Sequence, residues 1–176
     1  VFVSLDRGAT WQQRAFVRQE KKKTITIAGA SVFDIDGPVK PNGVIYVALG
    51  DDGLYKTSNH GESWERVLSS STDSIRQVAI SPKNESTVYA VVGSRLARTV
   101  NAGAKWDVLY IENRPTITMT DVSIDPFDPR RIYLVFSDGS INQSVDGGIS
   151  WSRFYEPETG GKVTQFQAHL QQFQAT

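Results

Sequence analysis

Ser144-Val145-Asp146-Gly147-Gly148-Ile149-Ser150-Trp151 ends on the last of four tryptophans, and the same eight-residue pattern ends on each of the others. The first copy is Ser4-Leu5-Asp6-Arg7-Gly8-Ala9-Thr10-Trp11 and the second is Thr57-Ser58-Asn59-His60-Gly61-Glu62-Ser63-Trp64. The third, Thr99-Val100-Asn101-Ala102-Gly103-Ala104-Lys105-Trp106, carries Lys105 where the others have a hydroxyl. The tryptophans are 53, 42 and 45 residues apart, a period at which a chain repeats one supersecondary unit. Each part of the pattern has a physical task. Asp or Asn in third place accepts a hydrogen bond from a backbone N–H two residues on, closing a turn. Glycine in fifth place supplies the positive φ of a tight hairpin, and the hydroxyls satisfy further backbone groups. Tryptophan begins the next strand and turns its ring into the core, where burial is worth on the order of 3 kcal/mol. The pattern reads as a structural turn with an anchor.

A second periodic feature precedes the later copies. Val78-Ala79-Ile80-Ser81-Pro82 leads to Val88-Tyr89-Ala90-Val91-Val92-Gly93, and Val122-Ser123-Ile124-Asp125-Pro126 leads to Ile132-Tyr133-Leu134-Val135-Phe136. The earlier counterpart is Val32-Phe33-Asp34-Ile35-Asp36-Gly37-Pro38, leading to Ile45-Tyr46-Val47-Ala48-Leu49-Gly50. From Tyr46, Tyr89 and Tyr133 to the next tryptophan is 18, 17 and 18 residues. Four short strands fit each unit. Proline cannot donate to a ladder and ends the first; the β-branched and aromatic run around the tyrosine is the second. The third, such as Gly53-Leu54-Tyr55-Lys56-Thr57, follows a hairpin, and the octapeptide turns it into the fourth, as in Ser63-Trp64-Glu65-Arg66-Val67-Leu68. Four-stranded antiparallel units of about 45 residues are propeller blades. The expected fold is therefore all-β, a β-propeller region with a partial blade over 1–17 and blades near 24–68, 74–111 and 116–156. Residues 160–176 read as the start of a further blade or a tail. An open arc would leave blade faces and strand edges exposed. The expectation is a piece of a larger ring, with closure as four blades the alternative. A start at Val1 without methionine reads as a mature or truncated product.

The octapeptides resemble the Asp box of BNR-repeat propellers over nearly the whole chain, with Asn59 and Asn101 in place of Asp in two copies. The nearest likeness is to bacterial envelope propellers of no assigned activity, then to the sortilin and photosystem-assembly-factor type. That resemblance implies a non-catalytic scaffold or a protein- or peptide-recognition module in an extracytoplasmic setting, secreted, periplasmic or lipid-anchored. The alternative it implies is a glycoside-acting enzyme, sialidase-like or xyloglucanase-like, completed by further blades. Sialidases use three arginines, a tyrosine–glutamate pair and an acidic residue, with the first arginine in an Arg-Ile-Pro-like motif that this sequence lacks. Xyloglucanases need two aspartates across a cleft. Asp34 and Asp36 are the nearest candidates but share one strand face; Asp34 reads as solvent-facing and Asp36 as part of a turn.

Other chemistry is scarce. Basic and acidic residues number 19 each, so no general field attracts nucleic acid or anionic lipid. There is no cysteine, and no apolar run approaches the roughly 18 residues of a membrane span. His60 and His169 are the only histidines, and Asp51-Asp52 and Asp138 read as hairpin turns, so neither metal nor cofactor is expected. No glycine-rich phosphate loop opens a helix.

What remains is geometry. Inter-blade links and second-to-third hairpins emerge on one face of a propeller, with the octapeptide turns on the other. The candidate partner-binding loops are then Arg18, Lys21, Lys22 and Lys23 in the first link, Asp51 and Asp52 in a hairpin, and Glu112, Asn113 and Arg114 in a later link. Glu156 and Glu158 follow in the last. This mixed-sign surface suits a protein or peptide partner better than a small substrate.

Overall fold

The computed structural model describes residues 2–4, 6–13, 17–20, 23–26, 31–37 and 43–157. The reading of 160–176, together with Lys21, Lys22, Glu158 and His169, lies outside them. Strands make up all the regular structure, with no helix among the described residues.

Three antiparallel meanders of four strands dominate. The first, in strand order 5-6-7-8, is β5 (Asp34–Asp36), β6 (Ile45–Ala48), β7 (Leu54–Thr57) and β8 (Glu65–Leu68). The second is β9 (Ile75–Ser81), β10 (Asn84–Val92), β11 (Arg95–Thr99) and β12 (Asp107–Ile111). β13 (Met119–Ile124), β14 (Ile132–Phe136), β15 (Ile141–Ser144) and β16 (Ser152–Tyr155) form the third. Two smaller hairpins precede them: β1 (Phe2–Val3) with β2 (Gln12–Gln13), and β3 (Val17–Glu20) with β4 (Lys23–Thr26). Arg18 and Lys23, expected in an inter-blade link, thus lie in paired strands, because the β-favouring residues around Lys21–Lys23 close a hairpin of their own.

The chain divides into two compact units, 1–78 and 79–176, with the boundary inside β9. In the first, Val47, Leu49, Tyr55 and Trp64 form the core cluster. In the second, β10 packs on β13, and Ala79, Tyr89, Val91 and Leu96 meet Met119, Val122, Leu134 and Phe136. The second strand of each sheet is the most deeply covered: Tyr46, Val47 and Ala48 are fully buried, as are Leu134, Val135 and Phe136. Burial without alternation requires both strand faces to be covered, which explains why these runs are continuously apolar. Pro82 stands directly after β9 and Pro126 two residues after β13, as expected, while Pro38 lies outside the described residues.

The octapeptide turn is built differently from its expected form. The third-place oxygen accepts from the backbone N–H four residues on, not two: Thr10 to Asp6 (2.8 Å), Ser63 to Asn59 (3.0 Å), Lys105 to Asn101 (2.9 Å) and Ser150 to Asp146 (2.9 Å). The opening hydroxyl takes the nearer donors. Ser144 Oγ accepts from Asp146 N at 3.3 Å and Gly148 N at 2.8 Å, and Ser4, Thr57 and Thr99 do the same in their copies. The cause is two successive left-handed residues. Gly8, Gly61, Gly103 and Gly148 have φ of 82–93°, and the residues before them, Arg7, His60, Ala102 and Gly147, have φ of 55–77°. This is the pair of conformations a type I′ turn requires, and it swings the seventh residue's N–H under the third residue's oxygens. Where Lys105 replaces the hydroxyl, the backbone bond survives and its ammonium pairs with Asp107 instead (3.1 Å).

The tryptophans are not equivalent. Trp64 is 3% exposed, Trp106 and Trp151 are half-buried, and Trp11 is 62% exposed, against the expectation of four core anchors. The reason is local: among the described residues, β1–β2 is a two-stranded sheet with no third strand to cover the ring. Each indole also stands just ahead of the fourth strand rather than within it. Trp64→Ala should therefore cost about 3–5 kcal/mol in urea unfolding, as large core truncations do, whereas Trp11→Ala should cost below about 1 kcal/mol. Ala102→Gly should stabilise by about 0.5–1 kcal/mol, since relief of its left-handed φ of 55° outweighs the added unfolded-state entropy. Gly148→Ala should do the reverse by about 1–3 kcal/mol, because a Cβ there would stand 2.5 Å from Leu109 Cδ1 at φ +92°.

Candidate partner-binding face

In a four-strand meander the second-to-third hairpin and the link after the fourth strand share one end of the sheet; the octapeptide turn occupies the other. Two polar clusters lie at the hairpin-and-link end, one in each unit.

The cluster of the second unit centres on Arg114. Its Nε and Nη2 donate to the two oxygens of Glu112 (3.0 and 2.9 Å), and Nη1 donates to Asp138 in the β14–β15 hairpin (2.7 Å). The guanidinium carbon stands 5.2 Å from the ring centre of Phe136, itself fully buried. Tyr110 donates its hydroxyl to Glu112 (3.2 Å), accepts from Asn142 Nδ2 (3.0 Å) and meets Trp151 edge-on at 5.4 Å. Glu112 was expected on an exposed loop, but it is 7% exposed and committed to Arg114 and Tyr110. A bidentate guanidinium is what allows a carboxylate to be buried. Glu112 thus fixes the link through its bonds to Arg114. Hydrogen bonds from Arg114 hold the Glu112 carboxyl below the ordinary value, and those bonds raise the guanidinium in turn. Burial raises the Tyr110 hydroxyl, with the Glu112 charge adding to it. At Asp138 burial opposes ionisation, but the Ser140 hydrogen bonds and the Arg114 charge outweigh it. Asn113 stays exposed beside them, and Glu156 pairs with Arg153 at 3.0 Å.

The cluster of the first unit is a shallow groove of about 270 Å³ lined by Ser31, Phe33, Leu49, Asp51, Asp52, Ser74 and Arg76. Gly50, at φ +62°, lets the Phe33 ring lie on the hairpin backbone: a Cβ there would stand 2.5 Å from Phe33 Cε2. The hairpin is fixed in turn by paired backbone bonds between Gly50 and Ile75 (2.9 and 3.0 Å). Arg76 lies over Phe33, its guanidinium carbon 5.3 Å from the ring centre, and donates Nε to Ser74 Oγ at 3.3 Å. Asp51 and Asp52 project from the turn, both exposed. Phe33, Ser74 and Arg76 were not singled out from the sequence. The available signal was an arginine near the start of the first strand, Ile75-Arg76-Gln77-Val78-Ala79-Ile80.

The two strand aspartates do not face a cleft together. Asp34 is half-buried rather than solvent-facing: its oxygens accept from its own neighbour Ile35 N and from Val78 N in β9, both at 2.9 Å. Burial raises its pKa against those bonds. Asp36 accepts from Gly37 N at 2.8 Å, the expected turn chemistry. No group of three His, Cys, Asp or Glu side chains suited to a metal occurs among the described residues.

The fold and these loops define a β-propeller region. No protein-family model matches the chain, and no curated protein matches it. Solved structures do. It superposes on the GH74 xyloglucanase from Xanthomonas campestris with TM-score 0.62 and 18% identity, over 88% of this chain and 26% of that one. YCF48 bound to D1 peptide gives 0.60 and 16%, over 76% and 42% respectively. For the nidogen/laminin complex the values are 0.62 and 15%, over 78% and 53%. The chain thus spans about a quarter to a half of these propeller proteins, and at such identities the likeness is one of fold.

Removal of the Glu112 carboxylate leaves Arg114 and Tyr110 without their main partner. Glu112→Ala should cost about 2 kcal/mol, below the roughly 3–5 kcal/mol for breaking a fully buried pair, because Arg114 is partly solvated. The depressed Glu112 pKa adds stability that is complete above the ordinary 4.5 and lost as pH falls through its lower folded value. Wild-type urea midpoints should therefore fall more steeply than those of Glu112→Gln on acidification below pH 4.5.

Proposed function

We propose that the chain is part of an Asp-box propeller that recognises a protein or peptide through the loops at the hairpin-and-link end of its blades. The observation that carries this reading is the state of the polar side chains there. In the first unit they line an open groove rather than an enclosing cavity. The aspartates a glycosidase would need are occupied: Asp34 bonds backbone N–H groups with both oxygens, and Asp36 bonds its own turn. Shallow polar surfaces with a few fixed aromatics suit macromolecular partners. The similarity to YCF48 bound to D1 peptide and to the nidogen/laminin complex supports the same class of partner. We propose further that the remaining blades of a larger ring complete the domain and that it works outside the cytoplasm. No helix among the described residues is long and apolar enough to cross a membrane.

One observation favours the second reading, a glycoside hydrolase completed by further blades: several of the similar structures are GH74 enzymes. Selection of binders from a displayed random-peptide library, with xyloglucan and sialoside hydrolysis assayed in parallel, separates the two. Peptides should be recovered whose binding is weakened by Asp51→Lys or Asn113→Lys and unchanged by His60→Ser in an octapeptide turn. Release of reducing sugar that disappears in Asp34→Asn or Asp36→Asn would establish the enzyme instead.

A further inference from the structure

The groove of the first unit holds charges of both signs that do not satisfy each other. Arg76 is stacked on Phe33 and tethered through Nε to Ser74, yet its two terminal amino groups bond no other described residue. Asp51 and Asp52 line the same groove, and neither carboxylate has an ion pair or hydrogen bond with a described residue. Elsewhere the fold pairs such groups closely: Arg114 with Glu112 and Asp138, Arg130 with Asp128, Lys56 with Glu65. In the groove no ion pair joins the guanidinium to either carboxylate, although all three side chains line it.

The groove is also rigid where it matters. Phe33 rests on Gly50, and its backbone N–H bonds Ala48 (2.9 Å); Gly50 is bonded to Ile75, the neighbour of Arg76. The fork of Arg76 is therefore pre-oriented, which reduces the rotamer entropy lost on binding. A fork with free amino groups takes a carboxylate in a bidentate fashion. Two carboxylates on a turn take an ammonium or guanidinium. An extended chain presenting opposite charges on one side would satisfy both. Side chains two residues apart on a strand do this, at about 6–7 Å.

We propose that this groove binds an extended peptide bearing a basic and an acidic side chain two positions apart, the acid on Arg76 and the base on Asp51 and Asp52, with Phe33 as the apolar floor. The proposal rests on the peptide-recognition reading and gives it a location and a charge pattern. The test uses the 176-residue chain and fluorescein-labelled synthetic peptides in anisotropy titrations: one with Lys and Glu two positions apart, one with two Lys, one with two Glu. The mixed peptide should bind tightest and weaken as salt rises to about 0.5 M. Arg76→Gln and the double change Asp51→Asn with Asp52→Asn should each raise its Kd about fivefold. With Asp51 and Asp52 neutralised, the preference should shift towards the two-Glu peptide. Equal binding of all three peptides, or a mixed-peptide affinity untouched by these variants, overturns the assignment. Loss of binding on Asn113→Lys with no effect of Arg76→Gln would keep peptide recognition but move it to the second unit's cluster. No binding of any peptide by a folded chain would remove both.

Discussion

The structure depends on a turn in which side chains replace what the backbone cannot supply. Two consecutive residues held at positive φ reverse the chain but leave the N–H groups of the loop without backbone partners. A hydroxyl at the first position and a carboxylate or carboxamide at the third take them up, and the pair is locked by a hydrogen bond between the two side chains of 2.7–2.8 Å in every copy. That internal bond explains why the same two residue types recur although their solvent exposure differs greatly. It also explains why Asn serves as well as Asp: the accepting oxygen is common to both, and the backbone geometry does not require a charge. Where Asp is used, the hydrogen bonds from Thr10 and Ser150 hold Asp6 and Asp146 at about 2, so the latch stays ionised well into acid.

From this turn follows the asymmetry of each sheet. At its turn end, short-range bonds between residues four apart fix the loop, and single longer bonds such as Ala102 N to Ser86 O and Gly147 N to Arg130 O tie it to the sheet. The opposite end has no such device and is stabilised by longer-range contacts: Gly50 with Ile75, Arg114 with Asp138, Ser137 N with Thr118 O. These contacts join a hairpin to a following link and must be met by particular side chains. Sequence variation is consequently cheap in one place and consequential in the other. Lys105 in the third turn illustrates the first, since it gives up one side-chain bond and leaves the reversal intact. Arg114 illustrates the second, since the link and the next hairpin meet on one guanidinium.

What could be read from the chain divides along the same line. The four sheet positions in each repeat were legible because they follow from local rules: proline after the first strand, a continuous apolar second strand, a turn signal and a tryptophan. The bonding inside the turn was misassigned because an isolated Asx turn uses the N–H two residues on, and only the double left-handed conformation moves the acceptor to the fourth. Trp11 was misjudged because its burial depends on a neighbouring strand, which no local pattern specifies. Glu112 read as a solvated loop residue, and its burial is visible only once Phe136 and Asp138 are brought beside it by the next sheet. The groove was half legible. Asp51 and Asp52 announce a turn, whereas Phe33 and Arg76 come together across the Gly50–Ile75 bridge, a fact of tertiary structure alone.

The treatment of charge follows from how each site is solvated. Arg114 and Arg76 each lie over a phenylalanine ring, at 5.2 and 5.3 Å, so cation–π attraction and stacking are common to both. They differ in what surrounds the fork. At Arg114 a buried glutamate and a half-exposed aspartate consume the donors, and in a medium of lowered dielectric that pairing is needed to bury Glu112 at all. Arg76 lies in an open groove where water can solvate its terminal amino groups, so no desolvation penalty forces Asp51 or Asp52 towards it. A charge that must be paired serves the fold; one that is held in place yet left to water can exchange that water for a partner. By this criterion the ion cluster of the second unit positions a loop, while the groove of the first retains unspent electrostatic capacity for recognition.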